Sequence, residues 1–357
     1  MVTAGKARRI ARDWVEQEAS KTPGFQGAFL VGSINWRPDD ELLPPTSDVD
    51  VRIVVDADDR EQIAAQGLRQ QIRSVQGVTL DLGFDPIHQF GTPEQVLGSP
   101  FRACHFSVPN VLSDPSGHLT KIQKTVEMHY AQRKWLTKRV EQAKIRITES
   151  LHSLQTSDDV TECAMPLFFA VMGIAQLPAL ADLRNPTMRK CLVVLLELLD
   201  RQEKRPLYES VLRFLGSDAM DRQEVERHHQ DLTTTFDRAV ELVRSTNLGG
   251  FIDIAARPVV IAGSWELVEG GFHREAMLWI MIMRAVCQST IEADASGKER
   301  TLHRERYKGF MAELRLASVE DSRKRAQYGE RLLEEIMHVA EEIIETNPRV
   351  SDCPELL

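Results

Sequence analysis

The sequence predicts an α+β protein: a small mixed-sheet domain followed by an all-helical C-terminal domain. Three observations carry that prediction. Up to about residue 120, apolar runs with period-two alternation interleave with runs of helical period. Beyond that point strand patterns nearly vanish, and apolar residues recur at helical spacing as far as residue 346. At 357 residues the chain can bury two separate cores.

Within "MVTAGKARRIARDWVEQEAS", residues 5–20 predict an amphipathic helix whose mixed acids and bases do not fit a signal peptide. "GAFLV" (27–31) predicts a strand ending in the turn Gly32–Ser33. A polar, proline-bearing loop, 35–46, precedes a strand at 49–55. Acids followed by apolar residues at helical spacing predict a helix over 59–75, closed by Gly77. "VTLDLGF" (78–84) alternates as a strand does. After an irregular Gly- and Pro-rich stretch to about residue 100, "NVLSDPSGHL" predicts a short strand and a turn. Helices are then predicted over 121–153, 158–177, 186–202, 205–215, 222–245, 272–294, 298–318 and 321–346. Asn185–Pro186 reads as an N-cap with proline at the first helical position. Gly216 and Gly270–Gly271 read as helix stops.

Composition excludes several functions. The net charge is −9, and 11 bases face 16 acids through Thr120, so neither half has the basic surplus of a dedicated nucleic-acid binder. The cysteines, Cys104, Cys163, Cys191, Cys287 and Cys353, are odd in number and scattered, which favours buried free thiols over disulfides or a zinc site. No uninterrupted apolar run approaches the roughly 18 residues of a membrane span. The expectation is a soluble, cytoplasmic protein with no membrane partner.

The chemistry concentrates around two aspartates. Asp48, Asp50 and Arg52 share one face of their strand, and Val49, Val51 and Ile53 share the other. Two carboxylates one strand repeat apart repel unless a cation lies between them. Mg²⁺ suits that need, because it takes carboxylate oxygens together with substrate phosphates. A third carboxylate, Asp81, interrupts "VTLDLGF" on the face opposite Leu80, Leu82 and Phe84. Three carboxylates from two neighbouring strands can hold two metal ions. At Gly32–Ser33 the missing side chain lets backbone approach a phosphate, and the serine hydroxyl can donate to it.

The order Val31–Gly32–Ser33, then Asp48–Val49–Asp50–Val51, then Asp81 resembles the signature of the DNA polymerase β-like nucleotidyltransferase superfamily. The spacer of fourteen residues after Ser33 is slightly long for that pattern, and the resemblance covers roughly residues 25–85. The trailing helices resemble those of bacterial antibiotic nucleotidyltransferases, such as the kanamycin and streptomycin enzymes. The resemblance implies a nucleotidyltransferase catalytic domain over 1–120 and a helical, substrate-selecting domain over 121–357. It implies that Asp48, Asp50 and Asp81 bind two Mg²⁺ ions and act in catalysis. Gly32 and Ser33 would hold the donor's phosphates, and NMP, as AMP from ATP, would pass to a hydroxyl of a small acceptor such as an aminoglycoside. A protein AMP-transferase of toxin–antitoxin type would share every motif. A nucleotide-binding sensor without turnover is the rival from another class. A transferase acting on RNA would need a basic groove, which the charge balance argues against.

Other candidates are weaker. Arg52 either neutralises the neighbouring aspartates or contacts the triphosphate. Arg184, Arg189 and Lys190 surround an expected helix start, where donors suit an anion, although a solvated basic end has the same pattern. His273 and Glu275 fall in a first helical turn, where an acid is favoured for dipole reasons alone. "MPLFFAVMGIAQL" and "AMLWIMIMRAV" read as helix core.

Overall fold

Alternation along the N-terminal strands builds one sheet with two buried faces. The computed structural model describes residues 2–244 and 250–352. β1 (Phe25–Val31), β2 (Asp48–Val55), β3 (Gln71–Val75), β4 (Val78–Pro86) and β5 (Val111–Ser113) form a five-stranded mixed sheet in the order β3-β4-β2-β1-β5. β2 and β4 are parallel, and the other neighbours are antiparallel. On one face Val49, Val51 and Ile53 of β2 join Leu80 and Leu82 of β4 in a core shared with Ala7, Ile10, Ala11 and Val15 of α1 (Ala4–Gln17). The other face carries Phe29 and Val54. It is covered by Phe90 and Phe106, and by Leu119, Ile122 and Val126 of α5 (His118–His129). Toward the starts of β2 and β4 that second face holds aspartates, and Asp48 and Asp50 there are only half-buried.

The stretch 59–75 departs from the expected single helix. α2 (Arg60–Ala65) is short, and the chain then forms β3. Ile72 in "QIRSV" is buried, and the hairpin to β4 turns at Gln76–Gly77. Both turn residues have positive φ, 49° and 79°, as a two-residue hairpin turn requires. Gly77 is therefore a turn residue and not a helix stop. The irregular stretch after β4 holds two short helices, α3 (Pro93–Leu97) and α4 (Arg102–Phe106).

The expected helix 121–153 is interrupted: α5 ends at His129 and α6 (Arg133–Thr156) follows. Two interactions account for the break. The buried Arg139 donates to the carbonyl oxygens of Tyr130 (2.7 Å) and Leu97 (3.2 Å). The chain near the C-terminus also returns, so that Ser351 N donates to Ala131 O (3.1 Å) and Arg133 N to Ser351 O (3.0 Å).

Packing divides the chain into two units. The first comprises Met1–Arg139, Asn247–Val259 and Pro348–Leu357; the second comprises Val140–Thr246 and Val260–Asn347. The expected boundary near residue 120 differs from this division, because α5 and the first turns of α6 pack with the sheet and two later segments return to it. In the second unit the helices are α7 (Ala164–Ala181), α8 (Cys191–Arg201), α9 (Arg205–Leu215), α10 (Arg222–Leu242), α11 (Gly263–Glu269), α12 (His273–Asp294), α13 (Gly297–Glu313) and α14 (Val319–Thr346). A π-helical turn, Pro258–Ala262, leads into α11, and the sequence pattern did not signal either. Asn185–Pro186 is not a helix start. Gln176 of α7 donates to the carbonyls of Pro186 (3.2 Å) and Thr187 (2.9 Å), and α8 begins only at Cys191. Gly216 does stop α9, at φ 101°.

α7 and α12 are core helices, as their composition indicates. One stretch among the described residues, Val160–Ala181, is long and apolar enough to cross a membrane, and 78% of its apolar window is buried in the fold. Cys104, Cys163, Cys191 and Cys287 are buried and form no disulfide, whereas Cys353 lies outside the described residues.

Candidate metal and nucleotide site

Strand register brings the three aspartates together. β2 and β4 pair in parallel with Asp50 opposite Asp81 and Asp48 opposite Thr79, so all three carboxylates point from one sheet face. One carboxylate oxygen from each of Asp48, Asp50 and Asp81 lies within 4.8 Å of the others. At such spacings each ionised pair repels by about 3–4 kcal/mol at the effective dielectric of a protein surface. An all-oxygen, trianionic donor set fits a hard divalent cation such as Mg²⁺ and gives a soft metal no ligand it prefers.

Asp81 is the most buried of the three, at 8% exposure. Burial pushes its pKa up to about 6; the Gln70 hydrogen bond opposes that rise, Asp48 reinforces it and Arg52 opposes it. Gly32 is built into the same corner. Its backbone, φ 71° and ψ −170°, occupies a region that is essentially reserved for glycine. A Cβ there would sit 2.0 Å from Asp50 Oδ2. The turn is held by Asn35 Nδ2, which donates to Leu30 O at 3.0 Å, and by Asn110 Nδ2, which donates to the same oxygen at 2.9 Å. Ser33 is exposed and opens a single 3₁₀ turn, Ser33–Trp36, so no long helix starts at this corner. The long spacer is pinned to the start of α1. Ala4 N donates to Glu41 O (2.8 Å), Gly5 N to Asp39 O (3.0 Å), and Arg8 to Arg37 O (3.0 Å) and the Asp39 carboxylate.

Arg52 has a different partner from those suggested by its strand face. Its Nε and Nη2 donate to the two carboxylate oxygens of Asp85, both at 2.8 Å, and Nη2 reaches Phe84 O at 3.3 Å. The guanidinium crosses Gly83, its register partner, where a Cβ would meet Nη1 at 1.8 Å. Burial pushes Asp85 up, but Arg52 and then the other nearby arginines more than offset it, and the carboxyl ends below its ordinary pKa. Arg52 thus acts on the cluster as a fixed, internally paired charge. Asp85 and Gly83 gave a weak sequence signal, since they continue the period-two face that begins at Asp81.

The remaining candidates fall in the second unit. Lys190 pairs with Glu266 at 2.7 Å, and Arg184 with Asp182 (2.8 Å) and Glu197 (3.1 Å). Arg189 packs its guanidinium over Gly263, where a Cβ would lie 2.3 Å from Nη1. Glu275 is buried and accepts a hydrogen bond from Tyr208, also buried, so its place in the first turn of α12 is structural. His273 opens the same helix. Sequence reasoning missed Gln70, which no periodic pattern marks; its Nε2 donates to both carboxylate oxygens of Asp81, at 2.9 and 3.0 Å.

No protein-family profile matches the sequence, and no curated protein matches it significantly.

Proposed function

We propose that the protein is a divalent-metal-dependent nucleotidyltransferase that moves a nucleoside monophosphate, AMP from ATP, onto a hydroxyl of a small acceptor and releases pyrophosphate. The observation that carries this reading is the register that sets Asp50 against Asp81, with Asp48 beside them and Gly32 against Asp50. Asp48, Asp50 and Asp81 would hold Mg²⁺, which when bound neutralises phosphate charge and lowers the pKa of an acceptor hydroxyl. The chain's own residues supply the rest. Gly32 leaves room for the Asp50 carboxylate, its backbone would meet the donor's phosphates, and the exposed Ser33 hydroxyl donates to one of their oxygens. Arg52, fixed by Asp85, offsets carboxylate charge without leaving the sheet. Asp81 accepts the acceptor's proton as the acceptor oxygen bonds to the α-phosphorus and the bond to the pyrophosphate oxygen breaks. The acidic surface balance favours a cationic acceptor, for which an aminoglycoside is the working example.

The test is incubation with α-labelled ATP, Mg²⁺ and a panel of aminoglycosides, other small alcohols and cell extract. Label is expected on a small acceptor with the wild-type chain and not with Asp50→Asn. Label on a protein would replace the small acceptor with a protein one. No label from any source, or equal labelling by Asp50→Asn, overturns the reading.

A further inference from the structure

Asp81 has a neutral amide set against its carboxylate. Gln70 lies one residue before β3, beyond the paired register in which Gln71 faces Leu82 and Ile72 faces Asp81. Its Nε2 donates to Oδ1 at 2.9 Å and Oδ2 at 3.0 Å. The residue as a whole is exposed, while its hydrogen bonds to Asp81 are part-buried. The carboxyl torsion of aspartate is broad, and a hydrogen bond can choose one orientation from it. A carboxylate offers about four lone-pair sites. The Gln70 amide occupies one side of the group and leaves the rest for a cation.

A second feature supports this arrangement from far along the chain. Gly250, in the returning segment of the first unit, is buried against the backbone of Gln70. A Cβ at 250 would lie 2.9 Å from Gln70 Cγ and 3.1 Å from Gln70 O. The segment is held by its 3₁₀ turn, Ile254–Ala256, which packs on β3.

We propose that Gln70 is the positioning residue for Asp81, and that Gly250 is kept free of a side chain so that Gln70 can stand there. The inference rests on the reading of the aspartates as a metal site. Gln70 acts through Asp81: it orients the carboxylate toward the position shared with Asp48 and Asp50 and touches neither metal nor substrate. Outer hydrogen bonds of this kind are worth about 10–100-fold in metal affinity.

The experiment titrates Mn²⁺ into the full chain at one fixed pH, by calorimetry, for wild type, Gln70→Ala, Gln70→Met, Gly250→Val and Asp81→Asn. Gln70→Met keeps the length of the side chain and removes the N–H donor. The expected result is Mn²⁺ binding by wild type, about 10–100-fold weaker binding by both Gln70 variants and by Gly250→Val, and the greatest loss in Asp81→Asn. Gln70→Met and Gln70→Ala are expected to lose Mn²⁺ affinity equally, whereas a role in packing alone would spare Gln70→Met. If Gln70→Met binds as tightly as wild type, or more tightly, the amide does not position Asp81 and the inference falls while the metal site stands. If wild type binds no Mn²⁺, the metal-site reading falls and takes the inference with it.

Discussion

Gly32→Ala tests the corner where backbone and carboxylate meet. The substitution has two separable effects. Forcing alanine into a glycine-only backbone region costs about 1–3 kcal/mol. The new methyl also falls 2.0 Å from Asp50 Oδ2, so the carboxylate must swing away from Asp48 and Asp81. Gly77→Ala is the control for a positive φ without a steric contact, because Gly77 has φ 79° and nothing within 4 Å of a built Cβ. For a unit of this size each kcal/mol moves the melting temperature by about 2–4 °C. Both variants should therefore melt several degrees below wild type without metal. Only Gly32→Ala should also lose Mn²⁺ affinity, by at least about tenfold. Calorimetric melting and Mn²⁺ titration of the three proteins decide the matter. If Gly32→Ala binds Mn²⁺ as tightly as Gly77→Ala does, the Gly32–Asp50 contact does not shape the site.

Three further outcomes follow from the same geometry. Asp81 is held above its ordinary pKa in the metal-free fold, so its contribution to stability is present below about pH 4 and is lost as pH rises through about 6. Asp81→Asn should therefore stabilise the metal-free protein at pH 7, by up to about 3 kcal/mol in urea unfolding, and unchanged stability there would show that the carboxylate is not strained. Arg52→Met leaves Asp85 with Arg60 at 3.5 Å and Asp85→Asn leaves Arg52 without its bidentate carboxylate; each should cost up to about 3–5 kcal/mol, while the double change Arg52→Met/Asp85→Leu recovers much of it, and additive losses in that cycle would count against the pair. In the second unit, a Cβ at Gly329 would lie 2.5 Å from Leu151 Cδ2 and 2.7 Å from the Phe214 ring. Gly329→Ala should lower stability by about 1–3 kcal/mol and leave Mn²⁺ affinity untouched, and a wild-type melting temperature would refute the contact.

The three aspartates were legible because strand alternation is local: a face can be counted off once the strand is recognised. Core positions such as Val49, Val51, Leu80 and Leu82 were legible for the same reason. β3 was not, because the apolar spacing through 59–75 suits a helix, and its strand character depends on a hairpin turn with positive φ at Gln76 and Gly77. The partner of Arg52 was hidden because Arg52 and Asp85 sit on different strands, and only the register shows which acid lies within reach of the guanidinium. Gln70 and Gly250 are separated by half of the chain, and neither residue type is unusual in its own neighbourhood. The break at Tyr130–Gln132 was equally hidden, since Arg139 and Ser351 create it from outside the local sequence.

The sheet unit is assembled from three stretches of chain, and Gly250 lies against Gln70, the residue that hydrogen-bonds Asp81. No one cut lifts it out whole. A fragment ending at Arg139 keeps all five strands and every carboxylate, yet lacks Gly250, the turn on β3 and the Ser351 pairing at the end of α5. The two units therefore cannot be traded between proteins as cassettes by a single crossover. A crossover that replaced the helical unit would also replace the segment packed on β3 and the Ser351 pairing.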